Sequence, residues 1–173
     1  NLQTGEITGQ RVSDVSVSGF TFRGFTDTFM MGGFAARNAT VEGNRITGNV
    51  ATGIAFEKSV NTTVAKNHLI GNPEPADVDT FGILVASSSR TKIVNNVVRS
   101  YDYGVDFDES TNTTIAGNDS IGNSVTGISV FDSPGTKILS NDMIRSGTLG
   151  TLMFGPKLAN AKVVGNNISG KAS

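Results

Sequence analysis

A short motif recurs along nearly the whole chain and constrains the fold more than any other feature. An Ile or Val precedes an Asn by three residues at six places, and successive Asn residues of this set are 23, 29, 22, 23 and 25 positions apart. The six pairs are Val41/Asn44, Val64/Asn67, Ile93/Asn96, Ile115/Asn118, Ile138/Asn141 and Val163/Asn166. Gly-led apolar segments, such as Gly104-Val105 and Gly127-Ile128, recur with the same period. Self-similarity at about this period is typical of solenoid proteins.

The residues between the motifs favour short strands over helices. The chain contains 21 Gly, and Asn, Thr and Ser are frequent between short apolar segments that alternate with polar residues. Period-two alternation is typical of strands with one buried face. We therefore predict an all-β fold, a parallel β-helix of about seven coils. The alternative all-β fold, an antiparallel sandwich, would lack the register between successive coils. The aligned Asn side chains are expected to form an internal hydrogen-bonded ladder.

The composition argues against several classes of partner. Lys and Arg total 14 against 15 Asp and Glu, and no basic run is present. We therefore expect neither nucleic acid nor a membrane surface as a partner. The chain has no Cys, which excludes disulfides and thiolate metal sites.

The ends of the sequence lack the features of solenoid caps. The chain begins at Asn1 without Met, and its final segment stops soon after Ile168. Bare end coils would expose apolar core and unpaired strand edges. We expect a single β-helix domain over residues 1–173 that is a fragment or uncapped segment of a longer chain. Flanking sequence or self-association would then cover the open ends.

Alternation within the Gly-led strands predicts which side chains share the outer face. The residue after each Gly is expected to point inward, so the outward positions form two columns across the coils. One column contains Ala55, Leu84, Asp106, Ser129 and Leu152, and the other contains Glu57, Ala86, Asp108, Phe131 and Phe154. Both tyrosines, Tyr101 and Tyr103, come just before the acidic pair.

A candidate polysaccharide site follows from these columns. Paired carboxylates suit acid/base chemistry on sugars, and aromatic rings provide platforms for sugar rings. An insertion over residues 72–80 also leads into a coil next to the acidic pair, as binding loops of solenoids often do. The candidate catalytic residues are Tyr103, Asp106, Asp108 and Glu57. The candidate substrate-binding residues are Tyr101, Phe131, Phe154, Asp77 and Asp79.

The repeat Thr-Ile-x-x-Asn followed by Gly-Ile-x-Val, seen over residues 114–130, resembles a known family repeat. It is similar to the right-handed parallel β-helix repeat of the pectate-lyase-like superfamily, in particular to the carbohydrate-binding and sugar-hydrolase type repeats. The resemblance covers residues 12–170. It implies a right-handed parallel β-helix, a fold that serves polysaccharide lyases, hydrolases and epimerases as well as phage tail spikes, periplasmic copper-maturation proteins and non-catalytic rods. From this resemblance together with the candidate site, we expect an exported protein, extracellular or periplasmic, that binds or processes a polysaccharide.

A second, local resemblance concerns residues 103–109, Tyr-Gly-Val-Asp-Phe-Asp-Glu. This heptad is similar to the Tyr-Gly-Phe/Ile-Asp-Pro-His-Asp/Glu motif of mannuronan C5-epimerases, which implies catalytic positions for Tyr103 and Asp106. The sequence departs from that motif at Phe107, which replaces Pro, and at Asp108, which replaces the catalytic His. Because a carboxylate substitutes poorly for imidazole near neutral pH, the type of reaction stays open among lyase, epimerase and hydrolase chemistry.

Other interpretations of the same residues remain open. The acidic pair also suits a solvated strand face that prevents aggregation. No cofactor is predicted, although the oxygen ligands of Asp106, Asp108, Glu57 and the loop aspartates would suit calcium. Phe131 and Phe154 also suit packing by a flanking segment. A non-catalytic structural or surface-assembly rod is therefore the alternative function.

Overall fold

The computed structural model of the protein describes residues 7–23, 31–49, 52–72, 79–147, 151–154 and 157–170. In these residues the chain forms 21 short strands, β1 to β21 in chain order, and the predicted all-β class is confirmed. The described part of the chain contains no helix of the length and apolar character needed to span a membrane.

The strands form three sheets of seven strands each. The first sheet contains β1 (Ile7–Gln10), β4 (Met31–Phe34), β7 (Ile54–Glu57), β10 (Phe81–Ala86), β13 (Tyr103–Asp108), β16 (Thr126–Phe131) and β19 (Thr151–Phe154). The second contains β2 (Ser16–Ser18), β5 (Thr40–Glu42), β8 (Thr63–Ala65), β11 (Lys92–Val94), β14 (Thr114–Ala116), β17 (Lys137–Leu139) and β20 (Lys162–Val164). The third contains β3 (Thr21–Arg23), β6 (Arg45–Asn49), β9 (His68–Gly71), β12 (Val97–Arg99), β15 (Asp119–Ile121), β18 (Asp142–Ile144) and β21 (Asn167–Ser169).

Each strand pairs in parallel with the strand three earlier and the strand three later in the chain. The chain therefore winds once through all three sheets in every coil, which confirms the parallel β-helix and its seven predicted coils. Isolated parallel bridges join the successive coil starts Ser13, Arg37, Val60, Ser89 and Thr111. Because the pairing is parallel throughout, the antiparallel sandwich is wrong.

The core consists of aliphatic side chains that stack from coil to coil inside the solenoid. In the first sheet Ile54, Ile83, Val105 and Ile128 are paired in register and fully buried. In the second sheet the equivalent stack is Val64, Ile93, Ile115 and Ile138, also fully buried. Each such side chain stabilises the fold by roughly 1.5 to 3 kcal/mol through burial.

Hydrogen bonds join the repeated Asn side chains across the coils. The Nδ2 group of Asn118 donates to Ile93 O and to Asn141 Oδ1, each at 2.9 Å. Its Oδ1 accepts from the backbone N–H and from Nδ2 of Asn96, each at 2.9 Å. Equivalent bonds link Asn44, Asn67, Asn96, Asn118, Asn141 and Asn166 in sequence. Each of these amides therefore has partners in spite of its burial.

The Gly of the repeat allows neighbouring coils to approach closely. A Cβ atom on Gly104 would lie 2.5 Å from the carbonyl oxygen of Gly127 in the next coil and 2.2 Å from Ser120 Oγ. A Cβ atom on Gly82 would lie 2.6 Å from the carbonyl oxygen of Gly104. All three distances are too short for a side chain, which explains why a Gly occupies the second position of β10 and of β13.

Candidate functional site

The candidate site lies on the outward side of the first sheet, where the register places the acidic pair in the two predicted columns. Asp106 is paired between Leu84 and Ser129. Asp108 is paired between Ala86 and Phe131. Because Val105 and Phe107 are fully buried, the alternation directs Asp106 and Asp108 outward. Two strand residues at this spacing have Cα atoms roughly 7 Å apart.

Two aromatic rings stack at the start of these strands. Phe81 and Tyr103 are paired in register, and their rings lie 5.0 Å apart between centroids at an angle of 17°. Both residues are half-buried, so part of the stacked pair faces solvent. Phe81 was not among the predicted site residues, although it directly precedes Gly82 as Tyr103 precedes Gly104. That shared repeat position was the signal that could have identified it.

Asp102 fixes the backbone that leads into the aromatic strands. Its Oδ2 accepts hydrogen bonds from the backbone N–H of Thr80 at 3.0 Å and from Thr80 Oγ1 at 2.9 Å. Its Oδ1 accepts a bond from Ser124 Oγ. Burial raises the pKa of Asp102, but these hydrogen bonds outweigh that effect and hold the pKa below its usual value. Sequence reasoning missed Asp102, which holds three successive coils together just before Phe81 and Tyr103.

Asp106 is a carboxylate whose pKa is raised by its surroundings. Its side chain is half-buried, and its Oδ1 accepts a hydrogen bond from Ser129 Oγ. Burial raises the pKa of Asp106, and the negative charges of Asp108 and Asp79 raise it further against the opposing effect of the Ser129 hydroxyl. A carboxyl group with a raised pKa keeps its proton to higher pH, as a general acid requires.

Asp108 also lies among other carboxylates. Burial raises its pKa, and the charges of Glu109 and Asp132 add to the increase. Its Oδ1 is buried and has no hydrogen-bond partner among the described residues, and the same holds for Asp132 Oδ1. A buried acceptor without a partner is unusual in a folded protein, and such groups often mark functional sites.

Tyr103 is the member of the aromatic pair whose hydroxyl is affected by the nearby carboxylates. Burial raises the pKa of its hydroxyl, followed by the charges of Asp79, Asp106 and Asp102. Asp79 is exposed and its charge acts on both Tyr103 and Asp106, so a residue of the insertion contributes to the electrostatics around the acidic pair. The neighbouring candidate Asp77 lies outside the described residues.

The predicted surface position of Tyr101 is wrong. Its side chain is 1% exposed and belongs to the core, and its backbone N–H donates to Asn123 Oδ1 at 3.1 Å. Tyr101 follows a bend at Ser100, whose φ is 58°, and it faces inward like Val105 and Phe107 further along the chain. The ring instead fills space over Gly71, whose added Cβ would lie 3.0 Å from it. Tyr101 therefore cannot contact a ligand on the outer face.

Glu57 lies away from the acidic pair. It is separated from Asp108 by the intervening Ala86, which places it two coils, or roughly 10 Å, away in the same column. Its carboxylate lies 3.0 Å from the Nζ atom of Lys58 in an exposed ion pair. The structure therefore does not bring Glu57 together with Asp106.

The predicted aromatic binding residues flank the pair on one side. Phe131 is 45% exposed and adjoins Asp108 in the register. Phe154 follows Phe131 in the same column, but its side chain lies outside the described residues. Among the residues that the structure describes, no three His, Asp or Glu side chains come together as a metal-binding group.

Fold and site together define a parallel β-helix domain with an acidic, aromatic outer face. The family model of the right handed beta helix region matches residues 4–143 and again residues 76–173, and the chain belongs to this family. No curated protein sequence matches the chain.

Solved structures share this fold. A putative glycosyl hydrolase from Parabacteroides merdae superposes with a TM-score of 0.62, at 13% identity over 86% of this chain and 80% of that chain. The periplasmic alginate epimerase AlgG gives a TM-score of 0.55, at 22% identity over 88% of this chain and 39% of that chain. The A-module of mannuronan C-5 epimerase AlgE4 from Azotobacter vinelandii gives a TM-score of 0.53, at 18% identity over 95% of this chain and 65% of that one. At these identities the likeness establishes the fold alone.

Proposed function

We propose that the protein binds a polysaccharide across the outer face of the first sheet and cleaves its glycosidic bonds by acid/base catalysis. The observation that carries this proposal is the position of Asp106, half-buried under a hydrogen bond from Ser129, in the same strand as Tyr103, whose ring stacks on that of Phe81. The similarity of fold to a putative glycosyl hydrolase and to two alginate or mannuronan epimerases also favours a polysaccharide substrate.

Each carboxylate has a defined part in the proposed reaction. Asp106, whose pKa is raised by burial, donates its proton to the glycosidic oxygen of the leaving group. Asp108 removes a proton from the water that attacks the anomeric carbon. Their Cα atoms lie roughly 7 Å apart with both side chains outward, a spacing that allows their carboxyl groups to take up the separation of about 6.5 to 9.5 Å found in inverting glycosidases. The stacked aromatic pair supports a neighbouring sugar ring.

The charge of the face favours a substrate without carboxylates. Every charged group that shifts the pKa of Tyr103, Asp106 or Asp108 is itself a carboxylate. The two lysines found in ion pairs beside this sheet, Lys58 and Lys157, lie against Glu57 and Asp132. A uronate chain would be repelled by this field, so a neutral or cationic glycan fits better than alginate or pectate.

The epimerase-like motif is less well supported than hydrolysis. Phe107, which stands at the motif's Pro position, is fully buried and packs in the core. Asp108 occupies the position of the motif's His and offers a carboxylate in an acidic environment. Proton abstraction at C5 of a uronate needs that carbon to be acidified, and the surrounding negative charges oppose this.

We further propose that the protein acts outside the cytoplasm, where long polysaccharides occur. One structural relative is named as periplasmic. Fractionation of cells that express the full-length gene, followed by immunoblotting, tests this location, and recovery solely in the cytoplasm would contradict it.

The activity is tested with a panel of dextran, chitosan, pectate and alginate in deuterated buffer, with and without calcium, followed by proton NMR. We expect new reducing-end signals from dextran or chitosan. Asp106→Asn and Asp108→Asn should each reduce their rate by about 100-fold or more, as expected for loss of a general acid or base. Asp119→Asn, which changes an aspartate on the third sheet, is the matched control and should leave the rate unchanged.

The same spectra distinguish the alternatives. Deuterium at C5 of a uronate would identify an epimerase, and an unsaturated uronate signal would identify a lyase. Cleavage that persists in Asp106→Asn would refute the assigned acid. If no polymer changes and none broadens the protein's signals, a non-catalytic structural rod becomes the better explanation.

A further inference from the structure

A second charged surface lies on the third sheet, away from the proposed catalytic face. Arg45, His68 and Arg99 belong to β6, β9 and β12, which are neighbouring strands of successive coils. Arg45 and Arg99 are exposed and His68 is half-buried, so the three side chains form a basic cluster open to solvent. We call these three residues the basic cluster.

The register fixes how the members of the basic cluster lie relative to one another. Arg45 is paired with His68, and Arg45 Nη1 lies 3.1 Å from His68 Nδ1. Because guanidinium groups act as donors alone, Nδ1 accepts this bond and Nε2 carries the ring proton. Arg99 lies diagonally from His68, two residues beyond the directly paired Val97, roughly 7 to 8 Å away between Cα atoms. The cluster thus presents N–H donors and no acceptor.

The positive charge of the basic cluster is not neutralised within the described structure. The ion pairs found among the described residues join Lys58 to Glu57, Lys66 to Glu42 and Lys157 to Asp132, and none involves Arg45 or Arg99. Burial lowers the pKa of His68, and the charges of Arg45 and then Arg99 lower it further. Both guanidinium groups therefore act on the imidazole, which supports their proximity.

Neighbouring charges limit the extent of this surface. In the column that contains Arg45 and His68, the following residues are Val97, Asp119 and Asp142. The sheet therefore changes from basic to acidic between the fourth and fifth coils. An anion would be held over the second to fourth coils and repelled beyond them.

We propose that the basic cluster binds an oxyanion, a carboxylate or sulfate, carried by an acidic glycan. The N–H groups of Arg45 and Arg99 and the Nε2–H of His68 match the acceptor oxygens of such an anion, and Arg offers two parallel N–H groups to it. The strands run across the solenoid on an open face, which lets an extended chain contact several coils. This binding goes beyond the proposed catalysis and is independent of it. The acidic glycan would bind to the third sheet, whereas the proposed catalytic residues lie on the first sheet.

NMR of His68, the single histidine of the chain, tests the proposal directly. The full chain is titrated with sodium sulfate, with alginate oligomers and with dextran at constant pH and ionic strength. We expect saturable shifts of the His68 ring signals with sulfate and with alginate oligomers, and none with dextran. Tighter binding of the oligomers than of sulfate would identify a glycan as the source of the anion, and equal binding would refute that part of the proposal.

Three variants separate the site from general charge effects. Arg45→Gln and Arg99→Gln should each weaken binding about three- to tenfold, the usual range for an exposed to partly buried charged hydrogen bond. Lys137→Gln, which removes an exposed cation from the second sheet, should leave the affinity unchanged. Equal shifts in all three variants, or the absence of any shift with either anion, would overturn the proposal.

A competing occupant is a second copy of the chain, whose Asp119 and Asp142 could face the basic cluster. In that case the His68 signals would move with protein concentration in the absence of any ligand, and Asp142→Asn would abolish this change. That result would also overturn the proposal. Because none of these measurements uses the polysaccharide cleavage assay, failure here leaves the test of the proposed catalysis intact.

Discussion

The rings of Phe81 and Tyr103 stack 5.0 Å apart between centroids, one coil above the other, at the edge of the acidic outer face. Asp102 holds the backbone beneath them by accepting the N–H and hydroxyl hydrogen bonds of Thr80. The platform is therefore fixed by a hydrogen-bonded carboxylate as well as by strand pairing. This arrangement places an apolar surface beside Asp106, where a sugar ring and its glycosidic bond are proposed to lie.

Removal of the Tyr103 ring should weaken polysaccharide binding. Tyr103→Ala is expected to raise the Kd for the polymer that the protein cleaves by about 5- to 10-fold, since an aromatic contact contributes about 1 kcal/mol beyond area burial. Tyr103→Phe is the matched control, because it keeps the stacked ring and should keep most of the affinity. Isothermal titration calorimetry measures both, and an equal loss in the two variants would indicate a role for the hydroxyl in place of the ring.

Replacement of one of the hydrogen-bonded Asn side chains that connect the coils, from Asn44 to Asn166, should destabilise the solenoid. Asn118→Leu removes the acceptor for the backbone N–H and Nδ2 of Asn96 and the donor to Ile93 O. Each buried polar group left without a partner costs about 1 to 3 kcal/mol, so we expect a loss of about 2 to 5 kcal/mol in the free energy of unfolding. Urea denaturation followed by circular dichroism measures this loss.

The control for Asn118→Leu is Thr114→Leu on the outward side of the second sheet. It adds a comparable apolar side chain without disturbing the buried amides, and it should change the unfolding free energy by less than about 1 kcal/mol. An unfolding midpoint for Asn118→Leu equal to that of the unmodified protein would refute a stabilising role for the hydrogen-bonded Asn side chains.

The buried hydroxyl of Tyr101 should be dispensable. It has no hydrogen-bond partner among the described residues, and burial raises its pKa. Tyr101→Phe removes an unsatisfied polar atom and should leave the unfolding free energy unchanged or raise it by up to about 1 kcal/mol. Tyr101→Ala should lower it by about 3 to 5 kcal/mol, because it leaves a large cavity. A marked loss of stability in Tyr101→Phe would reveal a partner for the hydroxyl.

The two aspartates on either side of Tyr103 should affect stability in opposite directions as the pH changes. Because the folded-state pKa of Asp106 is raised, its charged form opposes folding at neutral pH, and this penalty disappears below the ordinary aspartate pKa of about 3.9. Asp106→Asn should therefore raise the melting temperature at pH 7, and the gain should vanish near about pH 3.

Ionised Asp102 should stabilise the fold, in contrast to Asp106, because the folded-state pKa of Asp102 is lowered. Its contribution to stability is present above the ordinary aspartate pKa and is lost as the pH falls through the lower folded-state value. Asp102→Asn should therefore lower the melting temperature at pH 7, and the loss should shrink towards pH 3. Differential scanning calorimetry at both pH values measures the two variants, and shifts of the same sign at pH 7 would contradict the assignment.

Local alternation predicted the outer columns but not the course of the chain through bends. Asp106 and Asp108 lie on the outer face because an unbroken strand, β13, carries both. Tyr101 lies just before that strand, after the bend at Ser100, and its closeness in sequence to the acidic pair did not place its ring on their face. Phe81 was missed for a related reason, since its value to the site comes from Tyr103 in the next coil.

The sequence by itself determined the solenoid, the period of its coils and the residues that stack within it. The Ile or Val three residues before each Asn reflects a buried aliphatic stack, and the Asn itself reflects a buried row of amides. The Gly near the start of the long strands reflects the close approach of neighbouring backbones. Such requirements recur once per coil, so they appear in the sequence as a period.

The tertiary structure alone decided what surrounds each outward residue. The Asp102 hydrogen bonds, the hydroxyl of Ser129 on Asp106 and the contact of Arg45 with His68 each join residues from different coils. These contacts depend on the register of neighbouring coils and on the rotamers of long side chains. Burial and charge at each position, and hence the pKa of each acid, follow from those contacts and not from the repeat.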